Sequence, residues 1–132
     1  MTLVVDASVL VGAAVDPDVT GRWAREHLEP GDLCAPHLLP VEVANALRRH
    51  VRQGSLAAGA GSDMLRDAGL LGIDLYPFEP FGDRIWELRE SLTAYDAWYV
   101  ALAEAHECPL ATLDYRLVAA DGPHCEFVTM TG

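Results

Sequence analysis

Leu3-Val4-Val5-Asp6-Ala7-Ser8 is the stretch that decides the architecture. Its three β-favouring residues are too few for a buried helix. They end at an acid followed at once by small residues, the pattern of a buried strand feeding a helix. In an open α/β sheet the ligand crevice lies outside the carboxyl ends of the strands, so Asp6 is expected at its lip.

Working outward, residues 7–14 read as a helix and Asp16-Pro17-Asp18 as a turn with proline set for the bend. Residues 19–28 read as a second helix carrying Trp23, stopped by Pro30-Gly31. Residues 33–35 form a short strand closed by Pro36, and a helix over residues 38–53 follows, ended by Gly54. That helix puts Val43, Leu47 and Val51 on a packing stripe, while Glu42, Asn45 and Arg49 share another face at i, i+3 and i+7. Ser55 suits the cap of a fourth helix reaching residue 70, residues 73–78 a third strand, and residues 81–92 a fifth helix whose charges read as a solvated face. Thr93 and Asp96 stand at the two ends of a capping box, opening a helix over residues 97–105 that is apolar almost all round and therefore buried. Residues 109–114 are again a strand ending in an acid. A short helix to residue 120, an Asp121-Gly122-Pro123 turn and a last strand near Phe127-Val128 complete the chain. The alternation predicts an α/β fold: one domain over residues 1–132, with a central, mostly parallel sheet of about five strands flanked by helices on both faces.

Composition narrows the function. The chain of 132 residues is 51% hydrophobic, enough for a sizeable core. No apolar run approaches the roughly 20 residues of a bilayer span and no signal-peptide pattern opens it, so a cytoplasmic protein is expected. Cys34, Cys108 and Cys125 are odd in number and lack CxxC spacing, as for free thiols in a reducing compartment. The formal net charge is −11, and all nine basic side chains are arginines. That sign argues against a protein that merely coats nucleic acid, but not against a nuclease whose acids hold metal ions. The absence of lysine removes the P-loop NTPases.

Each acid has a local explanation. Asp6 and Asp114 suit N-caps, Glu42 a helix N-terminus and Asp96 its capping box. Their joint placement says more. Strand-end acids share one edge of a parallel sheet, and Glu42 and Asp96 at helix starts can point into the same crevice. Carboxylates about 4 Å apart repel by about 1 to 4 kcal/mol per pair, a penalty a divalent cation removes. An oxygen-only donor set favours Mg2+ or Mn2+.

The set Val4-Val5-Asp6-Ala7-Ser8, Glu42-Val43-Ala44-Asn45-Ala46-Leu47, Thr93-Ala94-Tyr95-Asp96-Ala97 and Ala111-Thr112-Leu113-Asp114 resembles the PIN-domain ribonucleases, and most closely the VapC toxins of type II toxin-antitoxin systems. The resemblance implies a Mg2+- or Mn2+-dependent endoribonuclease, a homodimer, inhibited by a cognate VapB-like antitoxin; the short apolar runs add the expectation of no membrane partner. It puts Asp6, Glu42, Asp96 and Asp114 on the acidic positions, Thr112 on the hydroxyl position beside the last acid, and Ser8 and Asn45 on supporting polar positions. On this reading Asp6 and Asp96 hold the principal metal, Glu42 and Asp114 complete the site directly or through water, and Thr112, Ser8 and Asn45 orient the carboxylates. Arg49, on the Glu42 face, and Arg116, just beyond Asp114, are candidates for RNA phosphate contact. The Trp23 and Leu38-Leu39 regions are the expected apolar docking face. Two other readings compete. One is a noncatalytic PIN-like binding module. The other is a haloacid-dehalogenase-like phosphatase, disfavoured because Ser8 stands where its second Asp belongs.

Overall fold

Thr2–Val5 forms strand β1, with Val4 and Val5 fully buried, and the chain turns at Asp6 directly into helix α1, Ala7–Val15. The computed structural model describes residues 1–29 and 31–130. After α1 come α2 (Val19–Leu28), β2 (Asp32–Pro36), α3 (Leu39–Arg52), α4 (Ala58–Gly69) and β3 (Asp74–Tyr76). A 3-10 turn over Glu79–Phe81 then leads to α5 (Gly82–Glu87), α6 (Ala94–Ala105), β4 (Leu110–Ala111), α7 (Tyr115–Ala119) and β5 (Phe127–Val128). The α/β expectation holds: five strands make one parallel sheet in the order β3-β2-β1-β4-β5.

That order creates the site. From β1 the chain winds outward through β2 to β3, then crosses back and winds the other way through β4 to β5. With right-handed crossovers the reversal puts α1 to α4 on one face of the sheet and α5 to α7 on the other. The packing agrees: α1 meets α2 and α3, α3 meets α4, and α6 meets α5, β1, β2 and β4. The switch point therefore falls between β1 and β4, whose pairing matches Val4 with Leu110 and Val5 with Ala111. A crevice at the carboxyl ends of these two strands is where such sheets place ligands. Gly12 in α1 packs against the β4–α7 loop, where a Cβ would stand 2.9 Å from the movable Leu113 Cδ1.

Several local expectations give way. Helix α4 starts at Ala58, not near Ser55, because the Ser55 hydroxyl donates to His50 O at 3.1 Å and closes α3 together with Gly54 at φ +80. The expected fifth helix shrinks to Gly82–Glu87; the Leu88 N–H already bonds the carbonyls of both Arg84 and Ile85, and the chain leaves in turns. Its charges are not all solvated, because Arg84 grips Glu104 of α6 at 2.7 and 3.1 Å and also donates to Gly122 O at 2.9 Å. Leu39 is only 2% exposed and belongs to the core, and Trp23 is half-buried against His27, so neither forms an exposed docking face. The large exposed apolar side chains on this side include Val19 of α2, Val41 of α3, and Leu65, Leu70 and Leu71 of α4 and its exit. The expected stop of α2 at Pro30 lies outside the described residues. All three cysteines are free thiols, and burial pushes Cys34 up to about 12, Cys125 up to about 11, and Cys108 upward. Such thiols are poor nucleophiles. Among the described residues no helix is long and apolar enough to cross a membrane.

A carboxylate-lined cavity as the candidate active site

Asp6 ends β1 and caps α1, accepting from the Val9 N–H at 3.3 Å. It is 8% exposed, and two hydroxyls reach it: Ser8 Oγ donates to Oδ1 and Thr112 Oγ1 to Oδ2, each at 2.5 Å. Each hydroxyl is itself held, since the Leu113 N–H donates to Ser8 Oγ and the Asp114 N–H to Thr112 Oγ1, both at 2.9 Å. A hydroxyl has one proton and two lone pairs. With the backbone feeding their oxygens, both hydroxyls point their protons at Asp6. The β1–α1 and β4–α7 loops, 106 residues apart in sequence at the Thr112–Asp6 bond, are thereby joined through one carboxylate.

Asp114 follows β4 and caps α7, accepting from the Arg116 N–H at 3.0 Å. The Arg116 guanidinium folds back onto it at 3.3 and 3.4 Å. Asp96 sits in the first turn of α6, where the Thr93 hydroxyl accepts the Asp96 N–H at 3.2 Å. Among the described residues the Asp96 carboxylate returns no bond to the Thr93 backbone, so only half the capping box forms and the acid stays available to the cavity. Glu42 rises from the first turn of α3 on the other side, and Tyr99 Oη of α6 donates to its Oε1 at 2.6 Å.

Asp6, Glu42, Asp96 and Asp114 line one cavity of about 560 Å3, together with Ser8, Asn45, Arg49 and Arg116. Thr112, fully buried, stands directly behind Asp6. Asn45 differs from its expected orienting role: it lines the cavity, but among the described residues its amide bonds none of the acids. Three polar lining residues escaped the sequence reading: Tyr99, His50 and Asp16. Tyr99 lies three residues after Asp96 on a buried helix, so the i, i+3 relation alone would have put both on one face. His50 follows Arg49 around α3, and its Nδ1 lies 3.1 Å from Ser55 Oγ. Asp16 reads locally as a turn residue, and nothing nearby marks it otherwise.

The electrostatics are those of acids held together against their preference. Burial raises the Asp6 carboxyl from 3.8 to about 6, in spite of its hydroxyl and N–H donors. Burial raises Glu42 as well, with the Tyr99 hydroxyl opposing and the Asp96 charge adding. Asp96 is raised by burial and then by Asp114, while the Arg116 charge and the Thr93 hydroxyl beside the carboxyl pull it down. Tyr99 is pushed upward by burial and by its bond to Glu42, so its phenol keeps the proton it donates. Among the described residues, no three carboxylates, imidazoles or thiols stand close enough together to hold a metal ion between them. The acids line an open wall. An oxygen-only wall of this kind suits a hard cation bound by one or two carboxylates and otherwise by water, the manner of magnesium.

Residues 3–123 match the family model for the PIN domain. The chain belongs to the PIN-domain family. The PIN chain is 39% identical over 123 residues to a VapC ribonuclease of Mycobacterium bovis, covering 93% of this chain and 94% of that one. It is 40% identical over 124 residues to ribonuclease VapC1 of Mycobacterium tuberculosis, covering 93% of each. Among solved structures, PAE2754 from Pyrobaculum aerophilum superposes with a TM-score of 0.71 at 28% identity, over 96% of the PIN chain and 83% of that chain. VapBC2 from Rickettsia felis, solved bound to a promoter DNA fragment, shares the fold at a TM-score of 0.67 and 14% identity, over 98% of each chain.

Proposed function

We propose that residues 1–132 act as one PIN domain, a VapC-type toxin that cuts RNA by divalent-metal-dependent hydrolysis, with Mg2+ or Mn2+ as the ion. The observation that carries this reading is the convergence of Asp6, Glu42, Asp96 and Asp114 on one cavity at the switch point of the sheet. Relatives at about 40% identity over nearly their full length are named VapC ribonucleases, and neighbours of the same fold are VapBC toxin-antitoxin proteins. A bound divalent ion lowers the pKa of a coordinated water and neutralises charge on the phosphate.

The chain's own residues do the rest. Asp6 and Asp96 are the direct metal ligands in this reading, and Glu42 and Asp114 act directly or through water. Ser8 and Thr112 keep Asp6 ionised and fixed in direction, and Tyr99 does the same for Glu42. Arg49 on the α3 side and Arg116 on the α7 side hold the scissile phosphate against the acids' repulsion. No side chain needs to attack phosphorus. A phosphatase reading fails on the same geometry, because Asp6 is buried beneath two hydroxyl donors and Ser8 is committed to it. The partner in this reading is a cognate VapB-like antitoxin in the cytoplasm, and a second copy completes a homodimer; the exposed apolar side chains of α3 and α4 offer the surface.

The test is Asp96→Asn. Loss of an outer ligand-orienting group typically costs 10- to 100-fold in metal affinity or activity, so loss of a direct ligand should exceed about 100-fold in metal-dependent RNA cleavage. Unfolding by circular dichroism should be unchanged or slightly later, since one member of a repelling set is neutralised. A well-folded Asp96→Asn protein that cleaves RNA at the parent rate removes the assignment.

A further inference from the structure

We propose that the second half of α3 is a phosphate track, on which Arg48, Arg49 and Arg52 hold an unpaired RNA strand as it leaves the acid-lined cavity. The inference rests on the nuclease reading for its substrate and answers a difficulty within it. A chain with 20 acids and nine arginines repels polyanions over most of its surface, yet RNA must reach four carboxylates.

Three of those nine arginines fall within residues 48–52. Glu42, Asn45, Arg49 and Arg52 recur at i, i+3, i+7 and i+10, a single stripe along α3. At ~1.5 Å per residue, Arg49 stands about 10 Å beyond Glu42 and Arg52 about 15 Å, so the stripe starts inside the cavity and runs outward. Arg48 pairs in spacing with Arg52 and borders the groove between α3 and α4, where Ala58 and Ser62 form the other bank.

All three guanidiniums are exposed, and among the described residues none meets a carboxylate within 4.0 Å or donates a hydrogen bond. Elsewhere the chain pairs five of its six other arginines, with Arg22 of α2 the exception among the described residues. Arg66, Arg84, Arg89 and Arg116 each reach an acid, and Arg25 reaches the carbonyls of Ala13 and Asp16. Adjacent cations left without internal partners in so acidic a protein call for an external anion. The helix dipole favours cations in a last turn. Helical side chains, however, lean back toward the N-terminus, which here means toward the cavity and not over the terminal carbonyls. One helix, about 10 Å across, offers a single line of cations. That matches the backbone of one strand, and a duplex would need a second line.

The experiment measures binding of a fluorescein-labelled unstructured RNA of about 12 nucleotides, in the range single-strand sites cover, by anisotropy between about 50 and 200 mM salt. The parent is the non-cleaving Asp96→Asn protein, compared with the same protein carrying Arg48→Gln and Arg52→Gln. Glutamine keeps the helix propensity, and circular dichroism verifies it. Affinity is expected to fall about 10-fold at low salt, and the slope of log K against log salt to shrink by about 1.4, at ~0.7 per single-strand phosphate contact. Arg89→Gln, which removes a single charge in the turns after α5, should leave both unaltered. Unchanged affinity and slope in the double variant, no measurable RNA binding by the parent, or equal sensitivity toward the matching duplex each overturns the track. The two readings fail separately: a wild type that does not cleave while the slope still shrinks sinks the nuclease and leaves the track. Cleavage with an unchanged slope does the reverse.

Discussion

Asp6 and Asp114 begin from the same local pattern, an acid that ends a strand and caps the next helix, and finish in opposite surroundings. Asp6 is buried, with a hydroxyl on each oxygen and a backbone N–H besides. Asp114 is partly open, and its side-chain partner is Arg116, whose own side chain is 90% exposed. An ion pair in water contributes little and exchanges partners readily, whereas donors to a buried carboxylate define one geometry. On the proposed metal-dependent reading the contrast divides the labour at the site: Asp6 would set where a cation sits, and the Asp114 rim would trade its own guanidinium for an incoming ion or phosphate.

The sharpest way to break that division is Thr112→Val. The change keeps shape and removes one proton and one acceptor, so Asp6 loses a donor and the Asp114 N–H loses its partner. Charged hydrogen bonds and unsatisfied buried groups each fall in the range of about 1 to 3 kcal/mol. A loss of about 2 to 3 kcal/mol in denaturant unfolding is expected, with Thr112→Ser recovering most of it. A Thr112→Val protein as stable as the parent would show that the hydroxyl holds nothing.

Protons test the same corner more gently. The folded carboxyl of Asp6 titrates near 6 and the unfolded one near 3.8, so in the metal-free protein the native state keeps a proton that the unfolded chain has released. Stability from this group therefore falls as pH rises from about 4 to about 6 and levels off above. Between pH 5 and 7 the loss is roughly 1 kcal/mol, with Glu42 and Asp96 acting in the same direction. A divalent cation prefers the ionised form, so its apparent affinity should climb through this window and flatten above pH about 6. Calorimetric titrations with manganese that show no climb between pH 5 and 6 would detach Asp6 from the metal.

Much of this was legible in the chain. Asp6 reads as strand end and helix cap from six consecutive residues, α2 falls on Val19–Leu28 as its pattern requires, and the Glu42, Asn45, Arg49 stripe needs only the helical period. The sheet order follows less directly, because alternation implies parallel strands but not that the chain reverses after β3. What stayed hidden depends on partners distant in sequence. The Tyr99 bond to Glu42 spans 57 residues and the Arg84 bond to Glu104 spans 20, so neither leaves a local trace. The start of α4 was misplaced for a related reason: Ser55 has the chemistry of an N-cap, but its hydroxyl serves the helix before it.

The smallest effect is expected at the open rim, and there the comparison is most exposed to failure. Arg116→Gln removes a guanidinium whose one partner among the described residues is Asp114 and whose positive charge also draws down Asp96. Because the pair lies in water, unfolding should not change. Removing a cation beside the acids should leave metal affinity equal or slightly higher, while loss of a phosphate contact should raise KM for RNA by roughly 3-fold with kcat held. KM thus rises while stability holds and metal affinity holds or rises, a pattern that general damage to the fold cannot produce. If Arg116→Gln instead lowers the unfolding temperature as Thr112→Val does, the Asp114 pair is structural, and the two strand-end acids are equivalent anchors rather than one fixed and one exchangeable.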